Sequence, residues 1–174
     1  MVNGSDEIFI IDSNAMLAPY HAYYSFEIAP TFWEIMRRFI TAKNIVVLDK
    51  VYEEITAKED GLSRWLKAVP ELEPLKYNTP GVVENYGLII GYLQSCGLYT
   101  NVAFHEWSQE KVADPWIVAA AKTYNYTVIS FENRIHNLSA KNPSNKPKIP
   151  DICDQLRINC HDLFYMMNKL GVKL

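Results

Sequence analysis

Cysteine is scarce in this sequence, and the few cysteines form no recognisable motif. There are three, Cys96, Cys153 and Cys160, an odd number without C-x-x-C spacing. This usage argues against a zinc site and a disulfide framework, and is typical of reduced cytosolic thiols. No apolar run reaches the length that spans a membrane, and the polar, acidic start of the chain is unlike a signal peptide. These absences predict a cytoplasmic protein.

An excess of positive charge is also missing. The 174 residues carry a net charge of -3, which argues against a protein whose whole surface is built to bind nucleic acid. The net charge does not argue against a local basic patch around an acidic centre. The composition is 49% apolar and 21% charged, as in ordinary globular proteins. Because no repeat, low-complexity tract or linker interrupts the chain, we expect one domain over residues 1–174.

The clearest pattern is a buried strand that ends at polar side chains. Four apolar residues at positions 8–11 are followed directly by Asp12, Ser13 and Asn14. A continuous apolar run indicates a strand buried on both faces. An acid directly after such a strand lies at the carboxyl edge of an α/β sheet, which is where these folds bind ligands.

Further strands alternate with predicted helices along the chain. Apolar runs at 45–48 and 127–130 predict two more central strands, and 157–160 predicts an edge strand. A capping box at Thr31 and Glu34 predicts that a helix begins near Phe32. The periodicity and cap signals predict helices at about 32–42, 50–58, 62–69, 80–96, 115–125, 150–156 and 163–170. This alternation favours an α/β fold with a parallel sheet.

Acidic residues recur at the places where this sheet would present them. Asp49 and Glu132 follow predicted strands, and Asp114 precedes Pro115 at a helix start. In the helix over 50–58, the spacing places Glu54 at the border of the buried face, and Glu53 almost opposite it. Structural roles remain open: Asp12 and Glu132 can serve turns, Asp114 can cap its helix, and Asp49 and Asp151 are better explained as caps.

Carboxylates that converge in one cleft repel one another unless a cation neutralises them. Oxygen ligands without His or Cys favour Mg²⁺ or Mn²⁺ over zinc. These ions suit phosphodiester hydrolysis, because they activate water and stabilise charge on the phosphate. The only basic concentration lies in a predicted loop at 134–148. The aromatic stretch at 20–26 fits either core packing or stacking on nucleic-acid bases.

Several stretches together resemble the PIN domain family. They are Ile-Ile-Asp-Ser-Asn, Val-Tyr-Glu-Glu-Ile, Ala-Asp-Pro-Trp-Ile-Val-Ala-Ala-Ala-Lys and Thr-Val-Ile-Ser-Phe-Glu. The later Lys-Ile-Pro-Asp-Ile-Cys is similar to a poorly characterised bacterial PIN-like branch. The resemblance covers nearly the whole chain, and implies a single PIN-like domain folded as a three-layer α/β/α sandwich with a central parallel sheet.

By motif, the family's acidic residues carry over to Asp12, Glu54, Asp114 and Glu132, and its hydroxyl carries over to Ser13. Two positions depart from the family pattern. Ser13 stands where Thr is frequent, and Glu132 stands where Asp is usual. The side chain of Glu132 is longer than that of Asp, and this difference affects whether a second metal ion could bind there.

Typical PIN domains are metal-dependent ribonucleases, many of them toxins of toxin–antitoxin pairs. The resemblance therefore implies a Mg²⁺- or Mn²⁺-dependent endoribonuclease whose four acids bind the metal and catalyse. Ser13 and Asn14 would orient Asp12 or a water molecule by hydrogen bonds. Lys141, Lys146 and Lys148 would contact RNA phosphates. The expected partners are RNA, an antitoxin protein and a second copy of the chain.

Two other functions compete with this one. A non-catalytic PIN-like module that binds RNA or a protein partner fits the same motifs. A phosphatase that forms an aspartyl-phosphate is disfavoured, because that chemistry usually needs a second Asp two residues after the nucleophile. Asn14 occupies that position.

Overall fold

Four short parallel strands form the centre of the molecule. The computed structural model describes residues 7–173; the polar start of the chain, at residues 1–6, lies outside the described part. The strands pair in the order β2-β1-β3-β4. They are β1 (Phe9–Ile11), β2 (Ile45–Val47), β3 (Thr127–Ile129) and β4 (Cys160–His161). The predicted α/β fold with a central parallel sheet is confirmed.

Strand β1 lies inside the sheet and is covered on both faces. Phe9, Ile10 and Ile11 are all 0% exposed, although successive side chains of a strand point to opposite faces. Both faces of the sheet must therefore carry packed helices, as in a three-layer α/β/α sandwich. This is why the first strand is a continuous apolar run rather than an alternating one.

The helices connect and flank these strands. Among residues 7–173, no helix combines the length and apolarity needed to cross a bilayer. The helices are α1 (Asn14–Ala18), a π-helical segment (Pro19–Tyr23), α2 (Pro30–Thr41), α3 (Asp49–Thr56), α4 (Gly61–Lys67), α5 (Pro80–Ser95), α6 (Asn101–Trp107), α7 (Asp114–Tyr124), α8 (Ile149–Leu156) and α9 (Leu163–Lys169).

Two of the sequence-based boundaries are wrong. Helix α2 begins at Pro30 rather than near Phe32, and Ala29 caps it without a side-chain hydrogen bond. Proline suits this first position because its missing N–H would have no partner there. The predicted strand at 157–160 begins only at Cys160, since Arg157 has a φ of 57° and ends α8 in a left-handed conformation.

Helix α7 packs on the sheet and against α5. Residues 115–121 are all buried, and the Trp116 ring stacks on Tyr86 of α5 with the ring centroids 3.7 Å apart. On the other side of the core, Phe26 of the aromatic stretch lies 4.7 Å from the buried Trp33 ring. Tyr20 and Tyr24 also pack against the core. These contacts favour the core interpretation of that stretch.

Candidate functional site

The candidate site lies where β1 and β3 end side by side. In the order β2-β1-β3-β4, the chain leaves β1 toward β2 on one side and later returns as β3 on the other. Parallel sheets bind ligands at such a reversal, outside the carboxyl ends of the strands. Ile11 pairs with Ile129 in register. The residues that follow them, Asp12 and Ser130, are therefore neighbours at this edge.

Asp12 is a buried carboxylate held by two hydroxyl groups. Its side chain is 2% exposed; Ser130 Oγ donates to Oδ2 at 2.9 Å, and Ser13 Oγ donates to Oδ1 at 3.5 Å. Burial raises the pKa of Asp12 to about 6, against the lowering effect of the Ser130 hydrogen bond. The charges of Glu132 and Glu54 raise it further. The hydrogen bonds thus hold the Asp12 carboxylate in place, while burial and the neighbouring charges make its ionised form unfavourable.

Asp114 shares this environment. It is the first residue of α7, while the cap is Ala113, and the structure shows no side-chain cap hydrogen bond there. Asp114 is therefore not the helix cap that its position before Pro115 indicated. Burial raises its pKa to about 7, and the charges of Asp12, Glu132 and Glu54 add to the rise. The charges of three other carboxylates therefore act on Asp114 at this edge.

Glu54 and Glu53 are both exposed on α3, but their charges act on different groups. The charge of Glu54 raises the pKa of both Asp12 and Asp114. The charge of Glu53 contributes to the raised pKa of the Tyr77 hydroxyl. The helical spacing indicated this difference, since the two side chains diverge by about 100° around the helix.

Both carboxylate oxygens of Glu132 accept hydrogen bonds from other residues of the chain. Its Oε1 accepts a hydrogen bond from Lys148 Nζ at 2.5 Å, and its Oε2 accepts one from the Ile149 backbone N–H at 2.8 Å. Lys148, expected to contact RNA, is therefore bonded to an acid of the candidate site. Lys141 and Lys146 are exposed, as a phosphate-contacting role requires.

The supporting residues divide between two tasks. Ser13 donates to Asp12, as described above. Asn14 Oδ1 accepts the Phe131 backbone N–H at 2.9 Å and so fixes the chain just beyond β3. Ser130 was missed by the sequence analysis, although it joins Asp12 to the Glu132 backbone N–H, which it accepts at 3.1 Å. Its place at the end of a predicted strand, like that of Asp12, was the available signal.

The two other acids at element starts have structural tasks. Asp49 Oδ1 accepts the backbone N–H groups of Lys50 and Tyr77, at 2.9 and 3.2 Å. Asp151 accepts the backbone N–H of Ile135, at 3.1 Å to Oδ2. Neither residue is the helix cap that the sequence indicated, because the caps of α3 and α8 are Leu48 and Lys148. Both carboxylates instead satisfy backbone donors, and Asp151 bonds a loop rather than its own helix.

A metal ion fits the chemistry of this site only in part. Among residues 7–173, no group of three or more His, Cys, Asp or Glu side chains is arranged so that it could hold an ion. Mg²⁺, however, is usually bound through one or two carboxylates, with water and substrate phosphates at its other positions. Asp12 is a buried carboxylate and Asp114 is a half-buried one, and the charge of Asp12 raises the pKa of Asp114. Their oxygens fit one such hard cation.

The family model described as "Domain of unknown function (DUF4411)" matches residues 9–174, which is nearly the whole chain. The chain belongs to the DUF4411 family. No curated protein matches this DUF4411 chain in sequence.

Two solved structures are similar to the DUF4411 chain in fold. VapBC2 from Rickettsia felis, bound to a DNA fragment from its promoter, is 14% identical over 89% of this chain and 98% of that chain, with a TM-score of 0.53. DNA-bound VapBC from Salmonella typhimurium is 18% identical over 90% of this chain and 98% of that chain, with a TM-score of 0.50. At these identities the likeness concerns the fold alone, and it confirms the PIN-like fold expected from the motifs.

Proposed function

We propose that this protein is a Mg²⁺- or Mn²⁺-dependent endoribonuclease acting as one PIN-like domain. One observation carries the proposal: Asp12 lies at the carboxyl edge between β1 and β3, bonded to Ser130, and its charge acts on Asp114 together with those of Glu54 and Glu132. There the pKa of Asp12 is raised to about 6 and that of Asp114 to about 7. Buried acids with perturbed pKa values in such a position are typical of functional sites.

Asp12 and Asp114 would hold the ion, and Glu54 would add a third carboxylate from α3. The bound ion supplies an activated water and stabilises charge on the attacked phosphate. Ser130 and Ser13 hold the Asp12 carboxylate in one orientation through the hydrogen bonds described above. The rigid β1 and β3 ends that carry these residues limit the reorganisation needed when a charged substrate binds.

Partners follow from the surface and from the resemblance. Lys141 and Lys146 are exposed in the only basic segment, so they would contact RNA phosphates. The similar solved chains come from VapBC complexes bound to DNA, which supports a toxin of a toxin–antitoxin pair with an antitoxin partner. We further propose a homodimer and a cytoplasmic location, consistent with the free thiols of Cys96, Cys153 and Cys160.

The test compares two adjacent glutamates on one helix. Glu54→Gln, Glu53→Gln and Asp12→Asn are assayed for cleavage of RNA and of single-stranded DNA, with and without Mn²⁺. Asp12→Asn and Glu54→Gln should lose Mn²⁺-dependent RNA cleavage, whereas Glu53→Gln should keep it. Cleavage by Asp12→Asn at the wild-type rate would reject the proposal.

A non-catalytic module that binds RNA or a protein partner is the second function. It is favoured by the lack of a three-ligand metal group among the described residues and by the bonds that occupy Glu132. It predicts that the wild type binds RNA in EDTA as tightly as in Mn²⁺, and that no cleavage products form in either condition. A gel-shift experiment run beside the cleavage assay separates the two functions.

A further inference from the structure

Both carboxylate oxygens of Glu132 have partners within the chain. Lys148 Nζ donates a hydrogen bond to Oε1 at 2.5 Å, and the Ile149 backbone N–H donates one to Oε2 at 2.8 Å. The side chains of Glu132 and Lys148 are 13% and 37% exposed, so water screens this pair in part. An ion-paired hydrogen bond of this kind is among the stronger ones in proteins. Each oxygen keeps a further lone pair, but a metal ion that approached Glu132 would meet the positive charge of Lys148 at Oε1.

The charge of Lys148 also acts on the other acids. The charges of Asp114 and Asp12 contribute to the raised pKa of Lys148, after its hydrogen bond to Glu132. In return, the charge of Lys148 lowers the pKa of Asp114. Lys148 thus supplies positive charge at Glu132 that also acts on Asp114, unlike the exposed Lys141 and Lys146.

The backbone places Lys148 there. Lys148 directly precedes α8, and Glu132 lies just beyond β3, so their bond joins the two ends of the loop over 133–147. The Ile149 N–H is one of the donors that a helix start leaves without an internal partner. Because Glu132 accepts from both residues, the lysine is fixed at the edge of the site.

We propose that Lys148 acts as the second cation of this site: its ammonium group, held by Glu132, takes the place of a second divalent ion beside Asp114. This inference rests on the proposed metal-dependent function. The site then binds one divalent ion, held on the Asp12 and Asp114 side. Lys148 is a positioning residue that balances charge, and it does not contact RNA phosphates.

The test counts Mn²⁺ ions per chain by isothermal titration calorimetry, with metal analysis after equilibrium dialysis. Lys148→Gln keeps a hydrogen-bond donor for Glu132 but removes the charge. Lys148→Arg keeps the charge, and Lys146→Gln is the matched control in the same segment. We expect one Mn²⁺ in the wild type, in Lys148→Arg and in Lys146→Gln, and two in Lys148→Gln.

Several outcomes overturn the inference. Two ions in the wild type would show that Lys148 does not replace one, and this result does not depend on any variant folding. One ion in both the wild type and a folded Lys148→Gln would reject the role proposed for Lys148 and leave the metal-dependent function standing. A wild type that binds no Mn²⁺ would instead reject the metal-dependent function, and the inference with it.

Discussion

Replacing Asp12 by Asn should stabilise the metal-free protein at alkaline pH, although Asp12 is buried and hydrogen-bonded. Burial is the largest cause that raises its pKa from 3.8 to about 6. The folded state therefore binds this proton more tightly than the unfolded state. The resulting stabilisation is complete below the unfolded pKa and is lost as the pH rises through about 6.

The size of this effect follows from the pKa difference. A rise from 3.8 to about 6 corresponds to about 3 kcal/mol of unfolding free energy, since each tenfold change in proton affinity is worth about 1.4 kcal/mol. The neutral amide of the Asp12→Asn variant would escape this loss and keep an oxygen that accepts from Ser130. Allowing about 1 kcal/mol for altered hydrogen bonds, we expect a gain of about 2 kcal/mol. For a chain of this size, that raises the melting temperature by roughly 4–8 °C.

The assay is thermal unfolding in EDTA at about pH 3 and about pH 8, below and above the titration range. Asp12→Asn should melt higher than the wild type at the alkaline pH and slightly lower at the acidic pH, where only the loss of about 1 kcal/mol for altered hydrogen bonds remains. Asp49→Asn is the matched control, because Asp49 is also buried and follows a strand, but accepts two backbone N–H groups. This control should melt lower at both pH values. If Asp12→Asn also melts lower at both, the carboxylate is structural and the reasoning fails.

Three further predictions concern metal, proton and RNA binding. Mn²⁺ at a hundredfold excess over its Kd should stabilise the wild type by about 2.7 kcal/mol and so raise its melting temperature, and the rise should be smaller in Asp12→Asn. A wild-type melting temperature that Mn²⁺ leaves unchanged would contradict metal binding. Ser130→Ala removes the hydrogen bond that lowers the pKa of Asp12, so the pH of half-maximal Mn²⁺ binding should move upward in a calorimetric titration. Replacing Lys141 and Lys146 by Ala should weaken RNA binding and flatten its salt dependence, measured by fluorescence anisotropy; an unchanged slope would make the segment a simple connection.

The sequence alone determined the sheet and the acids that follow its strands. Continuous apolar runs around Ile10, Val46 and Val128 are local signals, because a strand buried on both faces has no polar side to show. Parallel strands end at the same edge, so Asp12 and Glu132 could be assigned to one side of the sheet without coordinates. Helical spacing likewise separated Glu54 from Glu53.

Tertiary structure decided which side chains meet. Ser130 and Asp12 are 118 residues apart, and only the in-register pairing of β1 with β3 brings the hydroxyl onto the carboxylate. Lys148 reaches Glu132 because an irregular loop returns to the end of β3. Such a path has no periodicity in sequence, so nothing local distinguished Lys148 from Lys146, two residues earlier. Burial by the surrounding helices, which raises the pKa of Asp12 and Asp114, is a property of the packed fold rather than of either residue.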